Sequence, residues 1–179
     1  MSYFAAAAVR GADGWSASEV SLAGASDVED VADRLRDVAP EADISLLFVE
    51  SDDAYLAILR LDQGEDLRVF GSDAAFAEES RLGALLLGEI QEPVLELDSV
   101  ELAEPVEADA ESESVEEPES VAPADADPVG DADLLADLGV PATELLAVCA
   151  HEGLLPSDMT AELCQAIGCG DEIEELREV

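Results

Sequence analysis

The stretch Tyr3-Phe4-Ala5-Ala6-Ala7-Ala8-Val9 decides the fold. It is apolar throughout, without the alternation of a half-exposed strand, as expected of a central strand covered on both faces. The turn Gly11-Ala12-Asp13-Gly14 follows, and residues 15–22 return as a second strand whose alternation breaks near Glu19. Ser26 with Glu29 forms a capping box, with Asp27 and Asp30 also in the first turn. Behind it Val28, Val31, Leu35 and Val38 keep helical spacing until Pro40. Residues 44–49 and 54–61 read as strands joined by the polar turn Glu50-Ser51-Asp52-Asp53, and a turn around Gly64 leads to a short strand at 67–70. Ser72 or Asp73 caps a helix through Ala75 and Phe76. Leu82, Leu85, Leu86 and Ile90 predict one more, weakened by Gly83 and Gly88. The order β-β-α-β-β-β-α predicts an α+β fold: a five-stranded antiparallel sheet with packed helices. By analogy of topology alone it is similar to the longin and roadblock folds.

Charge divides the chain into three parts. Of 179 residues, 45 are acidic and 7 are arginine, with no lysine, for a formal charge of -38. Residues 1–90, the α+β domain, hold 19 acids and 6 arginines. Residues 91–130 hold 14 acids, no basic residue and five of the eight prolines. That composition cannot bury enough apolar surface to offset ordering entropy, so it reads as a disordered, self-repelling linker. Its opening Val94-Leu95-Glu96-Leu97 alternates like a short edge strand. Residues 131–179 form a helical module. Leu134, Leu135 and Leu138 end at Gly139, Pro141 starts a helix with Leu145, Leu146 and Val148, and Gly153 stops it. Ser157 or Asp158 caps a third helix with Met159, Leu163, Ala166 and Ile167 on one face, and a last turn carries Ile173 and Leu176. A module this small makes a marginal core alone, so docking on the first domain or on a partner is expected.

The same arithmetic excludes function classes. So acidic a chain repels phosphate backbones, which argues against direct nucleic-acid binding. No apolar run approaches the ~20 residues of a membrane span, and residues 1–10 make a poor signal peptide. A cytoplasmic protein with reduced thiols is expected. Cys149, His151, Cys164 and Cys169 fall within twenty-one residues and invite a zinc reading. Helix geometry opposes it, because Cys149 and His151 point roughly 200° apart. Cys164 and Cys169 miss the i, i+4 relation, so Cys149 and Cys164 read as small core residues and His151 as a helix-end cation. No phosphate loop, hydrolase elbow or deaminase signature is present, and no base other than His151 stands by for a nucleophile. The sequence therefore assigns no catalytic, cofactor-binding or metal residue. A small thiol- or metal-dependent enzyme built on those four is the weakest reading. Trp15, Phe48, Tyr55 and Phe70 lie on strands and read as core, with an exposed aromatic patch as the sharper alternative. Arg34, Arg36, Arg60 and Arg68 read as internal ion pairs, with anchorage of an acidic partner as the alternative.

The opening Met1-Ser2-Tyr3-Phe4-Ala5-Ala6 with Trp15 resembles a known family. So do Leu46-Leu47-Phe48-Val49-Glu50 with Asp52-Asp53, Arg68-Val69-Phe70 with Ser72-Asp73-Ala74, and Gly83-Ala84-Leu85-Leu86-Leu87. Together they are similar to the tRNA adenosine deaminase-associated proteins of actinobacteria. The tail segments Asp133-Leu134-Leu135-Ala136-Asp137-Leu138-Gly139-Val140-Pro141 and Glu152-Gly153-Leu154-Leu155-Pro156 match as well. The resemblance implies a non-enzymatic acidic accessory protein that associates with a tRNA adenosine deaminase and modulates tRNA editing. It carries no functional residue across and leaves the oligomeric state open. A general polyanion mimic, occupying nucleic-acid-binding surfaces by charge, is the alternative. On the three-part division, limited proteolysis is expected to cut within 91–130 and leave a folded fragment containing residues 1–90. Loss of that fragment's fold on cutting would overturn the division.

Overall fold

A computed structural model describes residues 3–51, 55–75, 80–87, 128–151 and 153–178. The readings of Asp52-Asp53, Phe76, Ile90, Val94 to Leu97 and the linker up to residue 127 lie outside the described residues. Within them the chain is α+β, built on one antiparallel sheet. Its strands are β1 (Tyr3–Gly11), β2 (Gly14–Glu19), β3 (Ile44–Ser51), β4 (Tyr55–Asp62), β5 (Asp66–Gly71) and β6 (Val129–Gly130), in spatial order β2-β1-β3-β4-β5-β6. The helices are α1 (Val28–Val38), α2 (Arg81–Leu87), a 3-10 helix (Ala132–Leu138), α3 (Ala142–Cys149), α4 (Pro156–Ile167) and α5 (Gly170–Arg177).

The sheet has six strands where the sequence predicts five. The sixth, β6, pairs Phe70 with Gly130 and Gly71 with Val129, and lies in the last residues of the stretch read as linker. Two residues are too few to show a period, so no pattern in the sequence marks them. Gly130 explains how they fit. Its φ is +94°, and a Cβ there would collide with the Val69 carbonyl oxygen.

Helix caps are shifted from their sequence assignments. Asp27, not Ser26, caps α1: its carboxylate accepts from the Asp30 amide at 2.9 Å, while the Asp30 carboxylate accepts from the Ser26 amide at 2.8 Å. The capping pair is displaced by one residue, and its return bond comes from the residue before the cap instead of from the cap. Helix α4 starts at Pro156 itself, with Leu155 at the cap position and no side-chain cap bond. Pro at the first helical position removes one of the unsatisfied donors, and the Asp158 amide donates instead to the Leu155 carbonyl at 2.9 Å.

Pleating sends alternate residues of each strand to opposite faces. Ala5, Ala7, Leu47, Val49, Ala57, Leu59 and Leu61 pack beneath α1 and α2 with Val31, Leu35, Leu86 and Leu87. Ala6, Ala8, Leu46, Phe48, Leu56, Ile58 and Phe70 face the other way, and onto them pack Leu134, Leu135, Leu145, Leu163, Cys164, Cys169 and Ile173. The C-terminal helices thus form the second layer over the sheet. The four alanines of β1 keep its surface low, letting both layers come close to the backbone.

Inserting a specific protease site between residues 95 and 125 and cutting it tests this layer. The two pieces are expected to migrate as one particle in size-exclusion chromatography and to separate only in denaturant. Separation in buffer alone would show that the tail layer adds little.

Candidate functional site

Most of the arginines of this chain bond to its own groups, and Arg60 is buried. Arg60 stands on the tail-facing side of β4, directly opposite Arg68 on β5, and its side chain is 4% exposed. Two like charges across a ladder repel, and Asp62 settles them. Arg60 Nε donates to both Asp62 oxygens at 3.0 and 2.9 Å, and Arg68 Nη2 donates to Asp62 Oδ2 at 2.8 Å. The rest of the Arg60 guanidinium reaches the tail. Nη1 donates to the Leu134 carbonyl at 2.5 Å and to Asp137 Oδ1, while Nη2 donates to Asp137 Oδ2 at 2.8 Å. With three residues per turn, the 3-10 helix sets Asp137 directly above Leu134, so one planar fork can meet both. Burial acts to raise the Asp62 pKa, but the hydrogen bonds from Arg60 and Arg68 outweigh it and the result lies below the ordinary value. Asp137 is lowered chiefly by its hydrogen bond from Arg60.

Arg34, Arg36 and Arg177 also bond within the fold, while Arg10 and Arg81 are exposed. Arg34 donates to the carbonyls of Ser21 and Ala23, and Arg36 to Gly64 at 2.6 Å, each securing a loop. Arg177 on α5 pairs with Glu50 on β3 and lies 5.5 Å from the Phe4 ring centre, a second tie between tail and sheet. Burial raises the Glu50 carboxyl, partly countered by Thr160 and Arg177. Arg36, Arg60 and Arg68 are thus found in ion pairs with Asp33, Asp62 and Asp137, whereas Arg34 bonds backbone carbonyls and no carboxylate among the described residues.

The cysteines and the histidine do not converge. Cys164 and Cys169 meet at the turn between α4 and α5, both fully buried in the tail core. Cys149 is half-buried on α3, and His151 is exposed just beyond that helix. Among the described residues no three His, Cys, Asp or Glu side chains are grouped as metal ligands. The Cys164 thiol is pushed up by its hydrogen bond with Cys169 and by burial, and burial pushes Cys149 up to about 12. Both stay protonated at neutral pH and pack as small apolar groups.

Phe48, Tyr55 and Phe70 are wholly buried, whereas Trp15 is half-buried at the sheet edge. Trp15 borders a groove of about 620 Å³ shared with Glu172, Glu175, Leu176 and Glu178 of the tail. A second groove, about 630 Å³, runs between the β2–α1 loop and α2, with Tyr3, Leu22, Leu82 and Leu85 on its walls and Arg81 at its rim. No helix among the described residues is long and apolar enough to cross a membrane.

Sheet, double layer and acid exterior together define an α+β protein most of whose arginines bond within its own fold and whose net charge is negative. Residues 3–170 match the family described as Rv3753c-like tRNA adenosine deaminase-associated protein, and the chain belongs to that family. The match runs from β1 into the start of α5, so it takes in both layers over the sheet. Comparison with curated proteins and with solved structures returns no significant match.

Removing the clasp tests its weight. Arg60→Ala takes the side-chain donor from the Leu134 carbonyl and leaves Asp62 with Arg68 alone, and is expected to cost about 3 kcal/mol. Asp137→Asn, at an exposed carboxylate, is expected to cost far less. Because Asp62 and Asp137 are depressed in the fold, their contribution is full above the ordinary carboxylate pKa. It is lost as pH falls below about 4 through the folded values. Thermal melts of the parent and of Asp62→Asn between pH 7 and 3 check this, the variant showing the shallower acid limb.

Proposed function

We propose that this protein is a cytoplasmic, non-enzymatic companion of a tRNA adenosine deaminase and modulates tRNA editing by protein contact. The observation that carries the reading is membership, over residues 3–170, in a family described by its association with that enzyme. Two features support it. The chain lacks the H-x-E and P-C-x-x-C signature of zinc deaminases: His151 is followed directly by Glu152. Its charge of -38 also suits the basic surface that a tRNA-binding enzyme must present, since phosphate contacts dominate such affinity. Association between opposite fields of this size is fast and salt-sensitive.

Charge alone favours the second reading, a polyanion mimic that serves any nucleic-acid-binding protein. The two differ in what the folded part contributes. In titrations against the deaminase, replacing residues 91–127 by glycine and serine of equal length removes the 14 acids of that stretch. It is expected to weaken binding less than about tenfold while flattening the salt dependence. Val31→Asp buries a carboxylate in the wholly buried Val31 position of α1, and is expected to unfold the sheet layer and abolish binding. Tight binding by the isolated 91–127 peptide would favour the polyanion mimic. No binding by the full chain would sink both.

A further inference from the structure

The edge strand β2 carries an open ladder. Val20 donates its amide to the Ala5 carbonyl at 2.9 Å, in register with the pairs Ala7–Ser18, Val9–Ser16 and Gly11–Gly14. In an antiparallel pair, residues that exchange hydrogen bonds alternate with residues that do not. Trp15, Ala17 and Glu19 are the second kind, so their N–H and C=O groups point away from β1. No strand follows β2 in the sheet order, and no hydrogen bond to those groups is found among the described residues. Open edges of this kind take up an added strand.

The chemistry beside the edge says what kind of strand. Trp15 and Ala17 present their side chains to the tail-facing side, where α5 closes a groove of about 620 Å³ with Glu172, Glu175 and Glu178. None of these three glutamates has an ion pair among the described residues, because the chain has no lysine and spends Arg60, Arg68 and Arg177 elsewhere. The Trp15 ring already holds one guanidinium, Arg10, at 5.9 Å. An aromatic face rimmed with carboxylates favours cations.

We propose that β2 accepts an extended basic segment of a protein partner as a seventh strand. Outward amides and carbonyls of Trp15, Ala17 and Glu19 hold its backbone, while every second side chain, arginine or lysine, enters the groove between β2 and α5. A second copy of this chain is the wrong occupant: it would bring its own glutamates against these. The proposal rests on the reading of the protein as a contact module and adds where and how contact is made.

The test uses the full chain and a fluorescein-labelled octapeptide of alternating arginine and valine, so it does not depend on the deaminase. Saturable, salt-sensitive binding is expected. The same peptide methylated on every backbone amide keeps its charge but cannot donate to the ladder, and is expected to bind about tenfold or more weakly. Ala17→Pro removes an outward N–H at an edge position that tolerates proline, with a similar loss at unchanged melting temperature. Glu172→Gln with Glu175→Gln is expected to weaken binding and flatten its salt dependence. No binding by the parent overturns the proposal. Equal binding by the methylated peptide does so too, showing charge attraction without a strand, and needs no variant should Ala17→Pro unsettle the hairpin. Self-association of the chain abolished by Ala17→Pro would give the edge to a second copy instead. Should the peptide bind as expected while the deaminase does not, the edge site stands and the partner is another protein.

Discussion

The central strands of this sheet are apolar on both faces, and the rest of the structure follows from that constraint. A strand such as β1, alanine after alanine between Phe4 and Val9, has no side fit for water. Neither do β3 and β4, where Leu46, Leu47, Phe48 and Val49, then Leu56 through Leu59, are all fully buried. Helices α1 and α2 can cover one side. Leu46, Phe48, Ile58 and Phe70 on the other need a second layer, and the C-terminal helices provide it.

What fixes the position of that layer is polar. Apolar packing is not directional, and a leucine-rich helix could slide across a leucine-rich sheet. The Arg60 fork admits one placement, in which the Leu134 carbonyl and the Asp137 carboxylate lie one 3-10 turn apart. Arg177 with Glu50 fixes the far end of the tail. A buried guanidinium is costly to desolvate and contributes only when its donors are met. Here Asp62, Asp137 and Leu134 meet them. In a chain of charge -38 five of the seven arginines are thereby placed where they restrain the fold, and the surface is left mostly to the carboxylates.

This use of charge also shapes what the surface can do. With Arg34, Arg36, Arg60 and Arg68 bonded inside, nothing basic is assembled to attract phosphate. A partner meets acid and, at β2, an aromatic side chain beside an open backbone edge. That combination suits basic protein segments, in keeping with a family described by association with a tRNA enzyme.

Local pattern was enough for most elements. The order of five strands and the helices around them is legible in hydrophobic period, turn glycines and acid-capped helix starts, because each of these acts within a few residues. Asp27 in place of Ser26 is an error of one position, where neighbouring residues can both cap; at α4 the helix starts earlier than Ser157 or Asp158, at Pro156 with Leu155 as cap, because proline itself sets the first turn. The two-residue β6 had no period to read. Cys149, His151, Cys164 and Cys169 lie close in sequence but only Cys164 and Cys169 meet, because a turn joins α4 to α5 at that point. The seven-residue apolar start determined by itself that a two-faced sheet would form. Only the tertiary structure decided that residues 132–177 supply its second cover, and that Arg60 meets Asp137 across 77 positions. The reason is physical: apolar pattern says that a face must be buried, and it does not say by what.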